Sequence, residues 1–310
     1  MSVADVEATA ARYQHWLDYR VCERGTVSAD LGVGWGAPRA AGRPYILMQA
    51  ASAEPVYLRF VEGAPQPLFR PLTTYGWAAI ELCVADTLAV HARLLDSPFT
   101  VIGPPRELDG LPTIFPMQVL GPDGEAVFLT QIRGNLPEYD LPRARTLVDR
   151  LFIAVLGCSD MRASARWFES ALGIRTGREL ELIYTVLSEA LGLPRDQRQR
   201  LATGVDGRDC FLELDQYPPP AGRRPCAAQD LPPGIALATL YHRDLRQVGA
   251  AWITPPRVHE GVLYGGQLAG TVRAPDGTLV ELVQWPGRVR LKLPRGPRQR
   301  AARIGDTAPG

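Results

Sequence analysis

The feature that most constrains this chain is an internal repeat. Three apolar, strand-like segments end in aspartate, namely IELCVAD (80–86), IAVLGCSD (153–160) and LATLYHRD (237–244), and SVAD (2–5) is a shortened fourth copy. Each copy is followed by a helical pattern and then by three further strand-like runs. The sequence therefore predicts four βαβββ modules, numbered 1 to 4 in chain order, and an α+β fold.

Two kinds of local signal support these modules. The segments ATAARYQHWLDYRV and MRASARWFESALGIRTG have the apolar spacing of amphipathic helices, and Gly173 is placed to end the second one. Proline-aspartate-glycine lies between alternating apolar runs in GPDGEAVFLTQI (121–132) and APDGTLVELVQW (274–285). This tripeptide favours a tight turn, so both stretches are predicted to be hairpins.

Composition narrows the class of protein. With 310 residues the chain can form two domains, and a formal net charge of +1 argues against nucleic acid or an anionic membrane as a partner. No apolar run reaches the ~20 residues of a membrane span, and the first residues lack the pattern of a signal peptide. The five cysteines are scattered without a CxxC pair, which indicates reduced thiols and a cytoplasmic location.

The predicted domain boundaries follow from the repeat. Modules 1 and 2 form an N-terminal domain over residues 1–133, and modules 3 and 4 form a C-terminal domain over 151–286. Residues 134–150 have the proline and polar content of a linker. Residues 287–310 are basic, rich in glycine and proline, and are expected to be a flexible tail.

The strand that ends in aspartate, the helix that ends in Leu-Gly, and the PDG turn before a VELVQ-type strand resemble the vicinal oxygen chelate superfamily. This superfamily includes glyoxalases, bleomycin-resistance proteins and extradiol dioxygenases. The resemblance covers roughly residues 1–286 and implies tandem modules that form two cupped mixed sheets. The resemblance is specific for the fold and weak for the reaction, because one fold can carry many reactions.

The resemblance also implies positions for metal ligands. Members carry histidines at the positions of Ala79, Ile153 and Leu237, which are apolar here, and a glutamate at the positions of Phe128 and Glu281. Glu213 matches a second glutamate position of glyoxalases, whereas Arg59 is the matching residue in module 1. Because divalent iron or zinc needs imidazole nitrogens beside carboxylates, no metal and no cofactor are predicted.

Strand alternation, applied to the same alignment, predicts which side chains face each cleft. The C-terminal cleft is expected to bring Glu213 and Glu281 together as the catalytic acid and base, since two desolvated carboxyls cannot both ionise at low cost. The side chains expected to orient the substrate are Tyr241, Thr239, Tyr184, His259 and Tyr264. A helix in the insertion over residues 181–203 is expected to cap this cleft, with Tyr184 near the ligand.

The N-terminal cleft is expected to hold an inward ion pair between Arg59 and Glu81. The pair is either structural, or it leaves Arg59 to bind a substrate carboxylate. Because SVAD is shorter than the other first strands, module 1 has a less protected sheet edge. A homodimer or an exchanged strand is the predicted way to cover that edge, unless the chain starts further upstream.

Three functions remain open from the sequence. The leading one is a metal-independent enzyme, a lyase or isomerase rather than a dioxygenase, acting on a small aromatic or oxygenated acid, as in the breakdown of aromatic compounds. The second is a protein that binds and sequesters a small molecule, as bleomycin-resistance proteins do. The third is an extradiol-dioxygenase-like enzyme with unusual ligands for a divalent metal. All three have a small molecule as partner, with no nucleic acid and no membrane.

Overall fold

The computed structural model describes residues 1–64 and 66–287. Module 1 comprises β1 (Ser2–Val3), α1 (Val6–Leu17), β2 (Arg20–Thr26), α2 (Ala29–Gly34), β3 (Pro44–Gln49) and β4 (Tyr57–Glu62). Module 2 comprises β5 (Gly76–Val84), α3 (Thr87–Leu94), β6 (Thr100–Gly103), β7 (Ile114–Leu120) and β8 (Ala126–Ile132). Both modules therefore have the predicted order of elements, with α2 as an addition in module 1.

The second half of the chain repeats this plan. Module 3 comprises β9 (Val148–Cys158), α4 (Met161–Leu172), β10 (Arg175–Ile183), α5 (Thr185–Ala190), β11 (Arg198–Asp206) and β12 (Asp209–Gln216). Module 4 comprises β13 (Leu237–His242), β14 (Arg257–His259), β15 (Gln267–Arg273) and β16 (Leu279–Gln284). The helix expected after Asp244 is only a short 3-10 turn, Leu245–Gln247, so that expectation was wrong.

The repeated aspartate has a simple physical role. In every module it lies in extended backbone at the start of the helix or 3-10 turn, where its carboxylate accepts a hydrogen bond from a free backbone N–H. Asp86, for example, accepts from Leu88 and Ala89. Gly173 ends α4 in the left-handed conformation that was predicted for it. Both PDG segments join antiparallel strands, so the predicted hairpins are confirmed.

The modules pair in a nested order. Modules 2 and 3 form one eight-stranded mixed sheet, β10-β11-β12-β9-β5-β8-β7-β6, in which their first strands β5 and β9 run antiparallel. Modules 1 and 4 contribute a four-stranded sheet each, β1-β4-β3-β2 and β13-β16-β15-β14, and an isolated bridge links Ser2 of β1 to Gly234 in the segment before β13. The expected clefts between modules 1 and 2 and between modules 3 and 4 are therefore not found.

One sheet spans the predicted domain boundary, because β9 of module 3 pairs with β5 of module 2. Residues 134–147 contain neither helix nor regular strand, whereas β9 begins at Val148, inside the predicted linker. The predicted tail lies outside the described residues from 288 onward. Among residues 1–64 and 66–287, no helix is both long and apolar enough to cross a membrane.

Three apolar clusters follow from this pairing. The largest takes side chains from α1, α3, α4 and from strands of all four modules, and lies between the sheets. A second cluster fills the inner face of the sheet formed by modules 2 and 3, and includes Val186 and Leu187 of α5. A third fills the inner faces of modules 1 and 4, and includes Leu31 of α2 and Trp35. Two separate clefts result, called here the 2–3 cleft and the 1–4 cleft, each covered by one short helix.

Substituting Asp86→Ala is expected to lower the free energy of unfolding by about 1 kcal/mol, because the N–H groups of Leu88 and Ala89 lose their acceptor. Asp86→Ser should retain most of the stability, since a serine hydroxyl also caps. Urea unfolding measures the free energy of unfolding of both variants. Asp96→Ala, at an exposed position beyond the same helix, is the control, and an equal loss in Asp96→Ala would contradict the capping role.

Candidate functional site

Two glutamates face one cavity in the 2–3 cleft. Glu81 on β5 lies beside Ile153 of β9, and Glu213 on β12 lies beside Val155 of the same strand. Since β9 separates β5 from β12, alternation directs both carboxyls to the inner face of the sheet. Both side chains line a cavity of about 210 Å³. Glu81 is buried, and Glu213 is half-buried because it opens toward this cavity.

The surroundings of both carboxyls favour their neutral forms. Burial, together with the nearby charge of Glu213, raises the pKa of Glu81 from 4.5 to about 8, and the hydroxyl of Thr130 is its one side-chain hydrogen-bond partner in the described chain. Burial and the neighbouring Asp215 raise the pKa of Glu213 well above its ordinary value. Glutamates with such environments can hold a proton at neutral pH and exchange it with a substrate.

Asp215 extends this acidic group. It lies two residues beyond Glu213 on β12 and is almost fully buried. Neither of its carboxyl oxygens has a hydrogen-bond partner within the described part of the chain. Burial raises its pKa from 3.8 to about 7, with the charge of Glu81 adding to the shift. Asp215 raises the pKa of Glu213, and the charge of Glu81 raises the pKa of Asp215, so the protonation of each carboxyl depends on its neighbours.

The opposite wall of the cavity comes from the insertion before β11. The predicted capping helix is present as α5, and Tyr184 immediately before it lines the cavity with its ring 6.3 Å from that of Phe128. Arg106 also lines the cavity and is held by the Thr185 hydroxyl at 2.9 Å and by the Ile183 carbonyl at 2.7 Å. It has no carboxylate within 4 Å among the described residues, so its charge is available to a bound anion.

The 1–4 cleft contains a different kind of carboxylate. Glu281 on β16 is 1% exposed and accepts four hydrogen bonds, from Trp35 Nε1 at 2.7 Å, Tyr264 Oη at 2.8 Å, Thr239 Oγ1 at 2.6 Å and Arg59 at 2.8 Å. Burial raises its pKa, but Arg59 and the three other donors outweigh that effect, and the pKa of Glu281 is lowered from 4.5. A carboxylate with all its oxygen lone pairs engaged is held ionised and in place.

The predicted catalytic pair is therefore separated. Glu213 lies in the 2–3 cleft with Glu81, whereas Glu281 lies in the 1–4 cleft with Arg59. The predicted ion pair between Arg59 and Glu81 is also wrong, because Arg59 belongs to module 1 and pairs with module 4. The reason is the same for both errors: modules adjacent in the chain do not share a cleft, except for modules 2 and 3.

The predicted substrate-binding residues divide between the two clefts. Thr239, Tyr264 and Arg59 contact Glu281, and the ring of His259 lies 5.2 Å from that of Tyr264. Tyr184 lines the same cavity as Glu213, in the 2–3 cleft.

Tyr241 makes no hydrogen bond to Glu281, but it lines one cavity together with Thr239 and Arg59. Its side chain is 42% exposed and contacts Trp285 at a ring distance of 5.2 Å.

Sequence reasoning missed three polar residues, and strand alternation could have found one of them, because Asp215 lies two residues after Glu213 on β12. Trp35 donates to Glu281 from the loop after α2, and the one signal for it is a bulky aromatic between two glycines in Gly34-Trp35-Gly36. Arg106 lies in the loop between β6 and β7, where no pattern marks it.

The donor set does not fit the metal that the fold resemblance implies. In the 2–3 cleft the aligned positions are Ala79, Ile153, Phe128 and Glu213, which offer a single oxygen ligand. In the 1–4 cleft the carboxylate of Glu281 is already bound to a guanidinium cation. Residues 1–64 and 66–287 contain no group of three or more His, Cys, Asp or Glu side chains arranged to bind a metal ion.

Comparison with solved structures agrees with this architecture. Glyoxalase I from Zea mays superimposes with a TM-score of 0.59 at 14% sequence identity, covering 91% of this chain and 89% of that one. A protein from Bacillus subtilis described as a "putative dioxygenase" gives a TM-score of 0.59 at 15% identity, covering 92% and 83%. The chain has the vicinal oxygen chelate fold. No family sequence model and no curated protein sequence matches it.

Substituting Glu281→Leu is expected to cost about 3–5 kcal/mol of unfolding free energy, because it leaves the buried guanidinium of Arg59 without a counter-ion. The double variant Arg59→Met/Glu281→Leu removes both charges and should recover at least about 1 kcal/mol of that loss. Urea unfolding measures the free energy of unfolding of the single and the double variant. A double variant that is less stable than Glu281→Leu would show that the ion pair is not what makes the single change costly.

The stability of the fold is expected to fall as pH rises from about 5 to 8. Glu81 has a pKa of about 8 in the folded chain and 4.5 as its ordinary value, so the folded state binds more protons across this window. In Glu81→Gln this fall should be smaller by on the order of a few kcal/mol. Urea unfolding at pH 5, 6, 7 and 8 measures the slope, with exposed Glu260→Gln as control. Equal slopes in wild type and Glu81→Gln would refute the raised pKa.

Proposed function

We propose that this chain is a proton-transfer enzyme, a lyase or isomerase, that acts in the 2–3 cleft on a small oxygenated organic acid. The observation that carries the proposal is the placement of Glu81 and Glu213 on one cavity of about 210 Å³, with both pKa values raised by burial. A general acid and a general base work best when their pKa values lie near the operating pH. Burial shifts these two carboxyls in that direction.

Arg106 and the aromatic walls support the class of substrate. The guanidinium of Arg106 is fixed by Thr185 and Ile183, and it suits a carboxylate at one end of the cavity. The rings of Phe128 and Tyr184 provide flat apolar walls. A planar group such as an enol or a phenol ring fits between them, and the small cavity favours a compact acid.

The reaction follows from these positions. The ionised member of the glutamate pair removes a proton from the carbon next to a carbonyl, and the electron pair of the C–H bond moves to form an enolate. The neutral member returns its own proton to the enolate, at carbon for isomerisation. In a lyase, the enolate electrons instead expel a leaving group from the adjacent carbon, and the neutral glutamate protonates that group. Removing water from the cavity keeps the raised pKa values that both steps require.

The five cysteines are all free thiols, which supports a reducing compartment such as the cytoplasm. A small molecule is the proposed partner, and assembly as a homodimer stays a prediction.

Deuterium uptake by small keto acids tests the proposal. In D2O, the wild type is expected to accelerate loss of the C–H signal next to the carbonyl in at least one of pyruvate, acetoacetate and phenylpyruvate, followed by proton NMR. Glu81→Gln and Glu213→Gln should each lower the rate about 100-fold or more, because each removes an acid–base group. Arg106→Gln should raise KM more than it lowers kcat.

Glu260→Gln serves as the control because Glu260 is exposed and forms no ion pair within the described residues. Uptake that persists in the Glu81→Gln/Glu213→Gln double variant would contradict the proposal. Binding of a probe without any uptake would favour the sequestration function instead.

A further inference from the structure

A cavity of about 260 Å³ lies where several connecting segments meet. Its walls come from the loop after α2, the residues that begin β5, the segment between β12 and β13, and the turn between β15 and β16. Among the residues that the structure describes, this cavity shares no lining residue with the cavity of Glu81 and Glu213. Because Arg223, Arg224 and Arg273 line it, it is called here the arginine pocket.

Arg224 is a largely buried cation that other parts of the chain hold in place. Its guanidinium donates to the hydroxyl of Thr74 at 3.1 Å and to the carbonyls of Trp77 at 2.7 Å and Ile235 at 2.9 Å. No carboxylate lies within 4 Å of it in residues 1–64 and 66–287. Burial lowers the pKa of Arg224 to about 10, so the group is still charged at neutral pH. A desolvated charge without a counter-ion is costly, and a bound anion would offset that cost.

The two carboxylates in the wall of the arginine pocket are engaged elsewhere. Asp230 accepts two hydrogen bonds from the guanidinium of Arg43, at 2.6 and 2.8 Å. Asp276 accepts from the backbone N–H and the hydroxyl of Ser159, at 2.9 and 2.6 Å. Since Asp230 is neutralised by Arg43, only the charge of Asp276 opposes the three arginines of the pocket, and positive charge is in excess.

Two glycines leave space beside the guanidinium groups. One nitrogen of the Arg273 guanidinium contacts the carbonyl of Gly277 at 3.5 Å. A Cβ atom at Gly36 would lie 2.8 Å from the other terminal nitrogen of Arg273, and a Cβ atom at Gly76 would lie 3.6 Å from the guanidinium carbon of Arg224. Glycine at both positions therefore lets bare backbone approach the arginine pocket.

The remaining two arginines are accessible to a ligand from solvent. Arg223 and Arg273 are exposed, and in the described part of the chain neither has a carboxylate within 4 Å. A guanidinium presents a fork of N–H donors that matches the oxygens of a phosphate group. Three such groups around one small space suit a doubly charged anion better than a single carboxylate.

We propose that the arginine pocket binds the phosphate group of a small phosphate monoester. Arg224 and Arg273 donate to the phosphate oxygens, and Arg223 adds a third positive charge. The volume of about 260 Å³ leaves room beside the phosphate for a compact organic group. Cys226 also lines the pocket, close enough to Arg224 and Arg273 to be influenced by their charges, so its thiol reports occupancy. This site does not depend on the proposed enzymatic function.

Calorimetric titration with phenyl phosphate, inorganic phosphate and the singly charged benzoate tests the ligand class. The wild type should bind phenyl phosphate with a Kd below about 1 mM, and each of the other two probes at least about tenfold more weakly. Arg273→Gln should weaken phenyl phosphate about tenfold, because the dianion loses one guanidinium. Arg243→Gln is the matched control, since this exposed arginine of the same module is paired with Asp206 at 2.8 Å, and the affinity should change less than about twofold.

Alkylation by iodoacetamide, followed by mass spectrometry, tests the location. Phenyl phosphate at about ten times its Kd should slow the alkylation of Cys226 about tenfold by mass action. The alkylation of Cys22, an exposed thiol of module 1 outside the pocket, should not change.

The proposal is overturned if the wild type does not bind phenyl phosphate, or if benzoate or inorganic phosphate binds as tightly. It is also overturned if Arg273→Gln and Arg243→Gln weaken phenyl phosphate equally, or if Cys22 and Cys226 are protected alike. Should Arg273→Gln fail to fold, Arg223→Gln replaces it, with the same expected direction. Glu81→Gln should leave the affinity for phenyl phosphate unchanged, so the failure of one proposal is distinguishable from the failure of the other.

Discussion

The antiparallel pairing of β5 with β9 is the constraint on which the rest of the molecule depends. It joins modules 2 and 3 into one sheet and leaves modules 1 and 4 to meet each other. Each pair then encloses its own cleft, and the large apolar cluster between the sheets separates the two clefts. Which side chains share a site is therefore decided by strand pairing between modules and not by their order in the chain.

The two clefts show how one fold produces opposite electrostatics. Glu281 and Glu213 occupy equivalent positions on the last strands of their modules. Arg59 and three neutral donors lower the pKa of Glu281 despite its burial, whereas burial and the neighbouring Asp215 raise the pKa of Glu213. Arg59 gives Glu281 the positive partner that a bound metal would otherwise provide. The 1–4 cleft thus holds a fixed ion pair, whereas carboxyls with raised pKa values line the 2–3 cleft.

Much of the fold could be predicted because its signals are local. The aspartate caps, the PDG hairpins and Gly173 each act within a few residues, so the pattern in the chain is sufficient to place them. The inward direction of Glu81, Glu213 and Glu281 followed equally from strand alternation.

The composition of each cleft could not be predicted, since it depends on contacts between modules far apart in sequence. The assumption that consecutive modules pair placed Glu213 beside Glu281 and Arg59 beside Glu81. Trp35 and Arg106 come from loops, whose path is set by the packing around them. The sequence shows that the first strand of module 1 is short, but it does not show which strand of another module lies nearest to it.

The nested pairing has a consequence for dividing the molecule. Arg59 and Glu281 are 222 residues apart, yet they form one ion pair, and Glu81 and Glu213 come from opposite sides of the connection at residues 134–147. A cut in that connection leaves each fragment with half of both clefts and an unpaired central strand edge. Because each cleft takes residues from both fragments, the two would regain their sites only by complementation, as a non-covalent pair.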